Sequence, residues 1–381
     1  HQRAGLHMGQ ERILLRLGET VDLVEEQERP PAVLIAARGR VKLADVVAAQ
    51  KQMVTAARRL RRVSVPCRTA RRPGAAQRQD RRLLRPPAKD GARVGNLDVD
   101  LSAPKLKVQG FSDGVLGNDA QMVSAARTGT LDMVNSSSSP LASVVPELGV
   151  FDLPFLLSTT KEADALFDGK VGEWFNAKMP AVGLVNLTWW ENGFRHTTNS
   201  KRPITKVDDF SGIKLRVMQN NVFLDSFKTL GANAVPLPFS ELFTALETKT
   251  VDGQENPYNT ILSSKFYEVQ KYLTVTNHVY SPWIVLVSKK YWDGLSKAEQ
   301  KVLLDAAKKS RDFERQDTRA EAEKALADLK GKGMQVNELP AAEANRMREK
   351  LSAVNASIAA NVGEGLWKEV QGAVAQARAG K

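Results

Sequence analysis

Cysteine, histidine and long apolar runs are scarce in this sequence, and each scarcity excludes a class of protein. The 381 residues include one cysteine, Cys67, which excludes an internal disulfide and an all-thiolate metal site. Four histidines leave few candidates for a zinc site or a histidine-centred triad. No run of about 20 apolar residues could span a bilayer, and no apolar stretch of about 7 to 15 residues follows a short basic start, so no signal peptide is visible.

Several short motifs of common enzyme classes are absent as well. The chain has no G-x-x-x-x-G-K phosphate loop, G-x-G-x-x-G turn or H-E-x-x-H helix. Asn96, Asp98 and Asp100 are spaced as in a calcium loop, but Leu101 stands where such a loop needs glycine. The sequence therefore favours a binding protein over an enzyme, and it predicts neither a metal nor a cofactor.

Aromatic residues are missing from the first hundred positions, the first in the chain being Phe111. The same stretch holds 18 Arg and 3 Lys against 11 acidic residues, so it carries +10 of the total net charge of +12. Arginine pairs interrupted by prolines run from Arg58 to Arg93. With so little apolar surface to offset chain entropy, we expect residues 1–103 to be poorly ordered, apart from isolated helices such as Ile13–Val24 and Val41–Val54.

From Pro104 the pattern becomes that of an α/β protein. It predicts a strand at Lys105–Phe111, a helix at Ala120–Arg127 and a strand at Leu131–Val134, followed by a loop at Ser136–Ser139. The strand, helix, strand order predicts that the two strands form a parallel pair.

A second α/β unit follows Lys201. The predicted elements are a strand at Ile213–Met218, a helix capped by Ser240 that continues through Glu247, and a strand at Tyr280–Ser288. Strand alternation puts Arg216 on the face opposite Leu215 and Val217.

The C-terminal part opens with a capping box. Ser296 and Glu299 have the S-x-x-E spacing that starts a helix, and the helical pattern continues nearly to Lys330. Such a helix would be roughly 50 Å long, so we expect it to span two lobes. A short strand at Met334–Val336 and one or two further helices complete the prediction.

Six segments, taken in order, resemble the periplasmic solute-binding proteins of tripartite ATP-independent periplasmic (TRAP) transporters, of the DctP type. They are LGNDAQMVSAARTGTLDM at 116–133, PELGVFDLPFLL at 146–157, WENGFRHTTNSKRPI at 190–204, DDFSGIKLRVMQN at 208–220, PLPFSELFTALETKTVDGQENP at 236–257 and HVYSPWIVLVSKKYWDGLS at 278–296. The resemblance implies an α/β fold of the periplasmic binding protein-like II class, with two lobes, a ligand cleft, crossing strands and a long helix spanning both lobes. The expected lobes are residues 104–192 plus 282–320 and residues 193–281 plus 321–381.

The resemblance also implies a carboxylate site. Arg216, in KLRVMQN, matches the family arginine that pairs with the ligand carboxylate, for which a guanidinium offers a planar, permanently charged fork. Asn256, in GQENP, matches the asparagine that hydrogen-bonds the same carboxylate. Arg195, in NGFRHTTN, matches a second arginine near the hinge, and its alternative role is an interlobe salt bridge. Two arginines facing the cleft would favour a dicarboxylate or a hydroxy or keto acid.

Three further residues are candidates for the ligand site, each with a structural alternative. Phe239 could pack on the ligand or on its own helix, Trp190 could form a wall of the cleft or belong to the core, and Glu147 could line the site or cap a helix. His196 is expected to be structural. None of these residues forms a pair of nucleophile and base.

The function implied is capture of a small organic acid anion, a C4-dicarboxylate or related carboxylate, in the periplasm and its delivery to the membrane subunits of a TRAP transporter. We expect a monomer that binds no nucleic acid. The alternatives are a carboxylate-processing enzyme or a sensor on the same fold.

The resemblance begins near Lys105, and no counterpart of the family's first strand and helix is recognisable upstream. Residues 1–103 are therefore predicted to be foreign to the family, the translation of a shifted or wrong frame joined to a genuine domain, which would leave a slot in the first sheet unfilled. The alternative is an authentic basic extension that binds a polyanion, although its lack of aromatics disfavours a stacking platform for single strands.

Overall fold

A computed structural model describes residues 32–36, 106–111 and 114–380. The described residues from Val33 onward belong to one compact unit, and of residues 1–32 only Ala32 is among those described. The predicted helices Ile13–Val24 and Val41–Val54, the arginine pairs and the calcium-like spacing at Asn96 all lie outside the described residues.

Eleven strands occur in the described part of the chain. They are β1 Ala32–Ala36, β2 Lys107–Phe111, β3 Met133–Ser137, β4 Leu184–Phe194, β5 His196–Asn199, β6 Lys214–Val217, β7 Asn233–Pro236, β8 Gly253–Asn256, β9 Tyr272–Val275, β10 Tyr280–Ser288 and β11 Gln335–Glu338. They form two sheets, sheet 1 in the order β2-β1-β3-β10-β4 and sheet 2 in the order β11-β9-β5-β8-β6-β7.

Sheet 1 corrects two predictions from the sequence. A strand does exist upstream of Lys105, because β1 lies between β2 and β3 and pairs in parallel with β3, Ile35 opposite Met133. The predicted strands at Lys105–Phe111 and Leu131–Val134 therefore belong to one sheet but are not neighbours. The five residues of β1, AVLIA, are entirely apolar, which is typical of an interior parallel strand. The Arg-rich sequence around them hid this short run from the prediction.

The described helices connect and cover these sheets. The α-helices are α1 Asp119–Thr128, α2 Ser138–Leu141, α3 Thr160–Phe167, α4 Lys170–Lys178, α5 Asn221–Thr229, α6 Leu242–Glu247, α7 Tyr258–Ser263, α8 Lys289–Gly294, α9 Lys297–Gly331, α10 Ala341–Asn361 and α11 Glu364–Ala379. Short 3₁₀ helices lie at Pro146–Asp152, Met179–Val182, Val207–Phe210, Phe239–Glu241 and Phe266–Glu268. No helix in the described ranges is long and apolar enough to cross a membrane.

Two local predictions are wrong. The expected loop at Ser136–Ser139 is the end of β3 followed directly by α2, because tertiary contacts bury all four serines. Ser240 is not a helix cap: a 3₁₀ turn already begins at Phe239, with Pro238 at its N-cap, and α6 starts only at Leu242.

Each sheet packs between two hydrophobic clusters. In sheet 1, Val134 and Trp189 face a cluster that includes Phe151 and Phe175, whereas Met133 and Trp190 face a cluster on the opposite side. This is the alternation expected of strands buried on both faces. Two more clusters pack against sheet 2. The last helix, α11, contributes Val370 and Val374 to the core of sheet 1.

Two strand connections and one helix join the sheets. The chain passes from β4 to β5 through Arg195, and from β9 to β10 through residues 276–279, and the Arg195 N–H donates to the Val279 carbonyl at 2.9 Å. The 35-residue helix α9 begins at the predicted Ser296–Glu299 capping box. It packs Leu303 against sheet 1 and Leu329 against sheet 2, which confirms the prediction of a long helix spanning two lobes.

Candidate functional site

Arg216 lies near the carboxyl end of β6, as the sequence predicts. Leu215 and Val217, which flank it, pack into a core on the other face, and the Arg216 side chain is itself only 1% exposed. Its Nε donates to the Leu237 carbonyl at 2.8 Å. Since β6 and β8 are parallel, with Arg216 opposite Gln254, their carboxyl ends meet at one edge of sheet 2.

Asn256 ends β8 at that edge and belongs to a chain of amide contacts. Its Nδ2 donates to Gln254 Oε1 at 2.5 Å, and Gln254 Nε2 donates to Thr198 Oγ1 at 2.9 Å. Gln254 and Asn256 are two residues apart in β8, so their side chains point to the same face of sheet 2. Arg216 is paired with Gln254 in the neighbouring strand, so its side chain points to that face as well. The structure thus brings Arg216 and Asn256 to neighbouring strands on one side of sheet 2.

Arg195 is fully buried and bound to a carboxylate of the protein itself. Its Nε donates to Glu255 Oε2 at 2.5 Å and its Nη2 to Glu255 Oε1 at 2.8 Å, the bidentate geometry of a strong ion pair. Nη2 also donates to Asn256 Oδ1 at 3.1 Å. The remaining terminal nitrogen, Nη1, is buried and has no hydrogen-bond partner within the described part of the chain.

His278 completes the environment of Glu255. Its Nε2 lies 3.0 Å from Glu255 Oε2 and its Nδ1 lies 2.8 Å from Thr276 Oγ1. Burial lowers the pKa of His278, so the ring is neutral and donates from Nε2 to the carboxylate. Burial acts to raise the pKa of Glu255, but Arg195 and His278 together hold it below its ordinary value. The charge of Arg195 is therefore matched by Glu255.

A second buried carboxyl group, that of Asp152, interacts electrostatically with Arg195 and Glu255. Asp152 Oδ1 accepts from Ser139 Oγ at 2.5 Å, and Asp152 Oδ2 accepts from Asn220 Nδ2 at 2.9 Å. Burial raises the pKa of Asp152 to about 7, against the opposing effects of the Ser139 hydrogen bond and the charge of Arg195. Asn220 also donates to the Ser139 carbonyl at 3.1 Å, so the residues after β6 are bonded to the residues after β3.

The other candidates do not share this environment. Trp190 packs in the core of sheet 1, Phe239 packs against Phe266 with ring centroids 5.9 Å apart, and Glu147 forms an ion pair with Lys178. These contacts match the structural alternatives considered for them. Their roles as ligand contacts stay predictions.

His196 has the packing of a structural residue. Its ring stacks on Tyr258 at 3.8 Å between centroids, and burial holds its pKa well below the ordinary value. The sequence interpretation missed Glu255, Asp152 and Asn220. A signal was present for Glu255, a carboxylate directly before the predicted Asn256, but nothing in the sequence marks Asp152.

Comparison with known proteins identifies the class that this fold and site define. The chain belongs to the DctP family, the bacterial extracellular solute-binding proteins of family 7, whose family model matches residues 100–361. Members of this family are solute-binding proteins, not enzymes.

Three relatives make the similarity specific. The chain is 40% identical over 232 residues, 61% of its length and 71% of the relative, to the 2,3-diketo-L-gulonate-binding periplasmic protein of Escherichia coli. The sugar acid binding protein DctPAm of Advenella mimigardefordensis, solved in complex with galactonate, is 40% identical with a TM-score of 0.78 over 92% of this chain and 99% of that one. A TRAP solute-binding protein of a Polaromonas species, bound to D-erythronate, is 33% identical with a TM-score of 0.74 over 90% of this chain and 98% of that one.

Proposed function

We propose that this protein is an extracytoplasmic receptor that captures a small organic carboxylate and delivers it to the membrane subunits of a TRAP transporter. Membership in the DctP family supports the transport role, and the ligands of the relatives are carboxylates. The protein is proposed to act as a monomer in the periplasm, without a cofactor and without chemical change to the ligand.

The observation that carries the proposal is the position of Arg216. Its guanidinium is buried at the carboxyl end of β6, on the side of sheet 2 where Asn256 lies. Ligands of open α/β sheets bind beyond the carboxyl ends of the strands, and a guanidinium there can hold both oxygens of a carboxylate. We assign the ligand carboxylate to Arg216 and Asn256, with Arg195 Nη1 as a further donor.

The proposed lobes follow the two sheets. Lobe 1 contains sheet 1 with residues 104–192 and 282–320. Lobe 2 contains sheet 2 with residues 193–281 and the segment from residue 321 to the end of α10. Because α11 packs into the core of sheet 1, we place it with lobe 1 rather than at the end of lobe 2. The strand connections at Arg195 and at residues 276–279 would then be the hinge, and an anion in the cleft would favour closure.

Ligand affinity in Arg216 variants tests the proposal. Calorimetry of the full chain against organic acids, neutral sugars and amines should find binding among the acids, weakened about 100-fold or more in Arg216→Ala, because the carboxylate loses its charged partner. Arg216→Lys should recover only part of the loss, since it keeps the charge without the fork. Arg346→Ala, which removes a surface arginine paired with Asp208, is the control and should bind like the wild type.

Two results would overturn the proposal. One is binding of neutral sugars or amines with no response to any carboxylate. The other is turnover: nuclear magnetic resonance of the ligand after incubation should show it unchanged, and a new product would establish the enzyme alternative.

A further inference from the structure

A chain of hydrogen-bonded side chains runs from Arg195 through the interior of sheet 2. Its members are Asn256, Gln254, Thr198 and Gln270, each at most 4% exposed. Arg195 Nη2 donates to Asn256 Oδ1 at 3.1 Å, and Asn256 Nδ2 donates to Gln254 Oε1 at 2.5 Å. Gln254 Nε2 then donates to Thr198 Oγ1, and Thr198 Oγ1 donates to Gln270 Oε1, both at 2.9 Å. Every hydrogen bond in the chain therefore points away from Arg195.

The chemistry of the two ends fixes this direction. A guanidinium has donors only, so the Asn256 amide must turn its oxygen to the arginine, and its nitrogen then faces Gln254. Each following amide or hydroxyl has to accept on that side and donate on the other. At the far end Gln270 Nε2 donates to the carbonyls of Asp252 and Val269, at 3.3 and 3.0 Å, and a carbonyl can only accept. Reversing one member would bring two donors or two acceptors face to face.

The fixed direction matters for Asn256, to which the proposed function assigns the ligand carboxylate. An amide nitrogen carries two hydrogens, and Gln254 accepts one of them, which leaves the second for an acceptor outside the chain. A carboxylate is such an acceptor, since it has no hydrogen to give. A flipped Asn256 amide would present oxygen in place of that N–H, and two oxygens with no hydrogen between them repel each other.

Thr198 lies too far back in the sheet to act on a ligand directly. It is on β5, which is separated from β6 and Arg216 by β8. Its side chain is fully buried, and its hydroxyl both accepts from Gln254 and donates to Gln270. An effect of Thr198 on ligand affinity therefore has to pass through Gln254 and Asn256.

We infer that Gln254, Thr198 and Gln270 are positioning residues, which hold the Asn256 amide with its second N–H toward the ligand carboxylate. Arg195 sets the direction of the chain from the hinge, so it takes part in carboxylate recognition through Asn256 as well as through its own Nη1. This inference rests on the proposed function, because it takes Asn256 as a partner of the carboxylate.

Isothermal titration calorimetry of the full chain tests it, with D-galactonate, D-erythronate and succinate as probes and the acid bound most tightly by the wild type used for the variants. Thr198→Val keeps nearly the same shape without the hydroxyl and should weaken binding about 3- to 10-fold. Thr198→Ser restores the hydroxyl and should recover most of the loss. Thr197→Val is the matched control and should bind like the wild type: Thr197 is equally buried on the other face of β5, and its hydroxyl has no partner in the described part of the chain.

A double-mutant cycle separates positioning from a general structural effect. Asn256→Ala alone should weaken binding about 10- to 100-fold, as expected for a lost hydrogen bond to a charged group. In the Asn256→Ala background, Thr198→Val should change the affinity by less than about 2-fold, because the residue through which it acts is gone. A merely structural role of Thr198 would weaken binding by the same factor in both backgrounds.

The outcomes distinguish this inference from the proposed function. Wild-type affinity in Asn256→Ala or in Thr198→Val, or an equal loss from Thr198→Val in both backgrounds, would overturn the inference and leave the proposed function standing. Binding of none of the three acids by the wild-type chain, or wild-type affinity in Arg216→Ala, would overturn both. If Thr198→Val does not fold, Gln254→Met, which removes the neighbouring link of the chain, decides in the same cycle.

Discussion

Replacing Glu314 with glutamine should make folding stability less dependent on pH. Glu314 lies on α9 and is 9% exposed. Its Oε2 accepts from the Glu191 N–H at 2.9 Å and its Oε1 accepts from Thr318 Oγ1 at 3.0 Å. Burial, together with the nearby Glu191 carboxylate, raises the pKa of Glu314 to about 8 from an ordinary value of 4.5, although Arg315 opposes the rise.

The sign follows from proton binding. Between the ordinary and the folded pKa, the folded state holds a proton on Glu314 that the unfolded state has released, so the free energy of unfolding falls as the pH rises through this window. By about pH 7 this group alone costs roughly 3 kcal/mol of stability relative to pH values below about 4, and the loss levels off above the folded pKa. Glutamine keeps the shape and both hydrogen-bond positions without titrating.

Urea unfolding of the two proteins at a series of pH values tests this reasoning. Glu314→Gln should match the wild type near pH 4 and exceed its free energy of unfolding by roughly 4 kcal/mol near pH 8. The difference between the proteins removes, to first order, the contributions of other groups such as Asp152. Glu323→Gln, at an exposed position of the same helix, should leave the curve unchanged. Parallel curves for Glu314→Gln and the wild type would refute the argument.

Two further substitutions probe the hinge and the long helix. Glu255→Gln leaves the fully buried Arg195 without its counter-charge and should cost about 3 to 5 kcal/mol in chemical denaturation; a loss under about 1 kcal/mol would show that the pair adds little. Ser296→Ala removes the N-cap of α9, whose Oγ accepts from the Glu299 N–H at 3.3 Å, and should cost about 0.5 to 2 kcal/mol in thermal unfolding. Ser352→Ala, an exposed serine inside α10, is its control, and equal melting of these two serine variants would contradict the capping role.

Elements with strong local signals were predictable. The strand Tyr280–Ser288 matches its prediction at both ends, and the Ser296–Glu299 box marks the start of α9. The structure of Ser136–Ser139, at the end of β3 and the start of α2, was not predictable, because burial against other parts of the chain overrides their loop-like composition. The strand Ala32–Ala36 was missed because its place in sheet 1 depends on pairing with Met133, about a hundred residues away, and a five-residue apolar run has no periodicity to reveal it.

From the sequence, only the residue types of the candidate site and their positions on strands could be predicted, not the contacts between them. Sequence motifs indicate Arg216, Arg195 and Asn256, and the structure places Arg195 in contact with Asn256. The motifs do not show that Glu255 matches the charge of Arg195, because charge compensation is a property of three-dimensional contacts.

The order of strands in sheet 1 also bears on how the protein folds. Among the described strands, β1 comes first in the sequence and lies inside sheet 1, while β10, which links β3 to β4, comes some 250 residues later. Pairings between such distant segments close long loops before they gain any contact energy, which slows folding. Until Tyr280–Ser288 pairs with them, the edges of β3 and β4 that it covers in the folded sheet remain unpaired. A fragment starting at residue 104 would lack the strand between β2 and β3, and two inner edges would stay exposed to other chains.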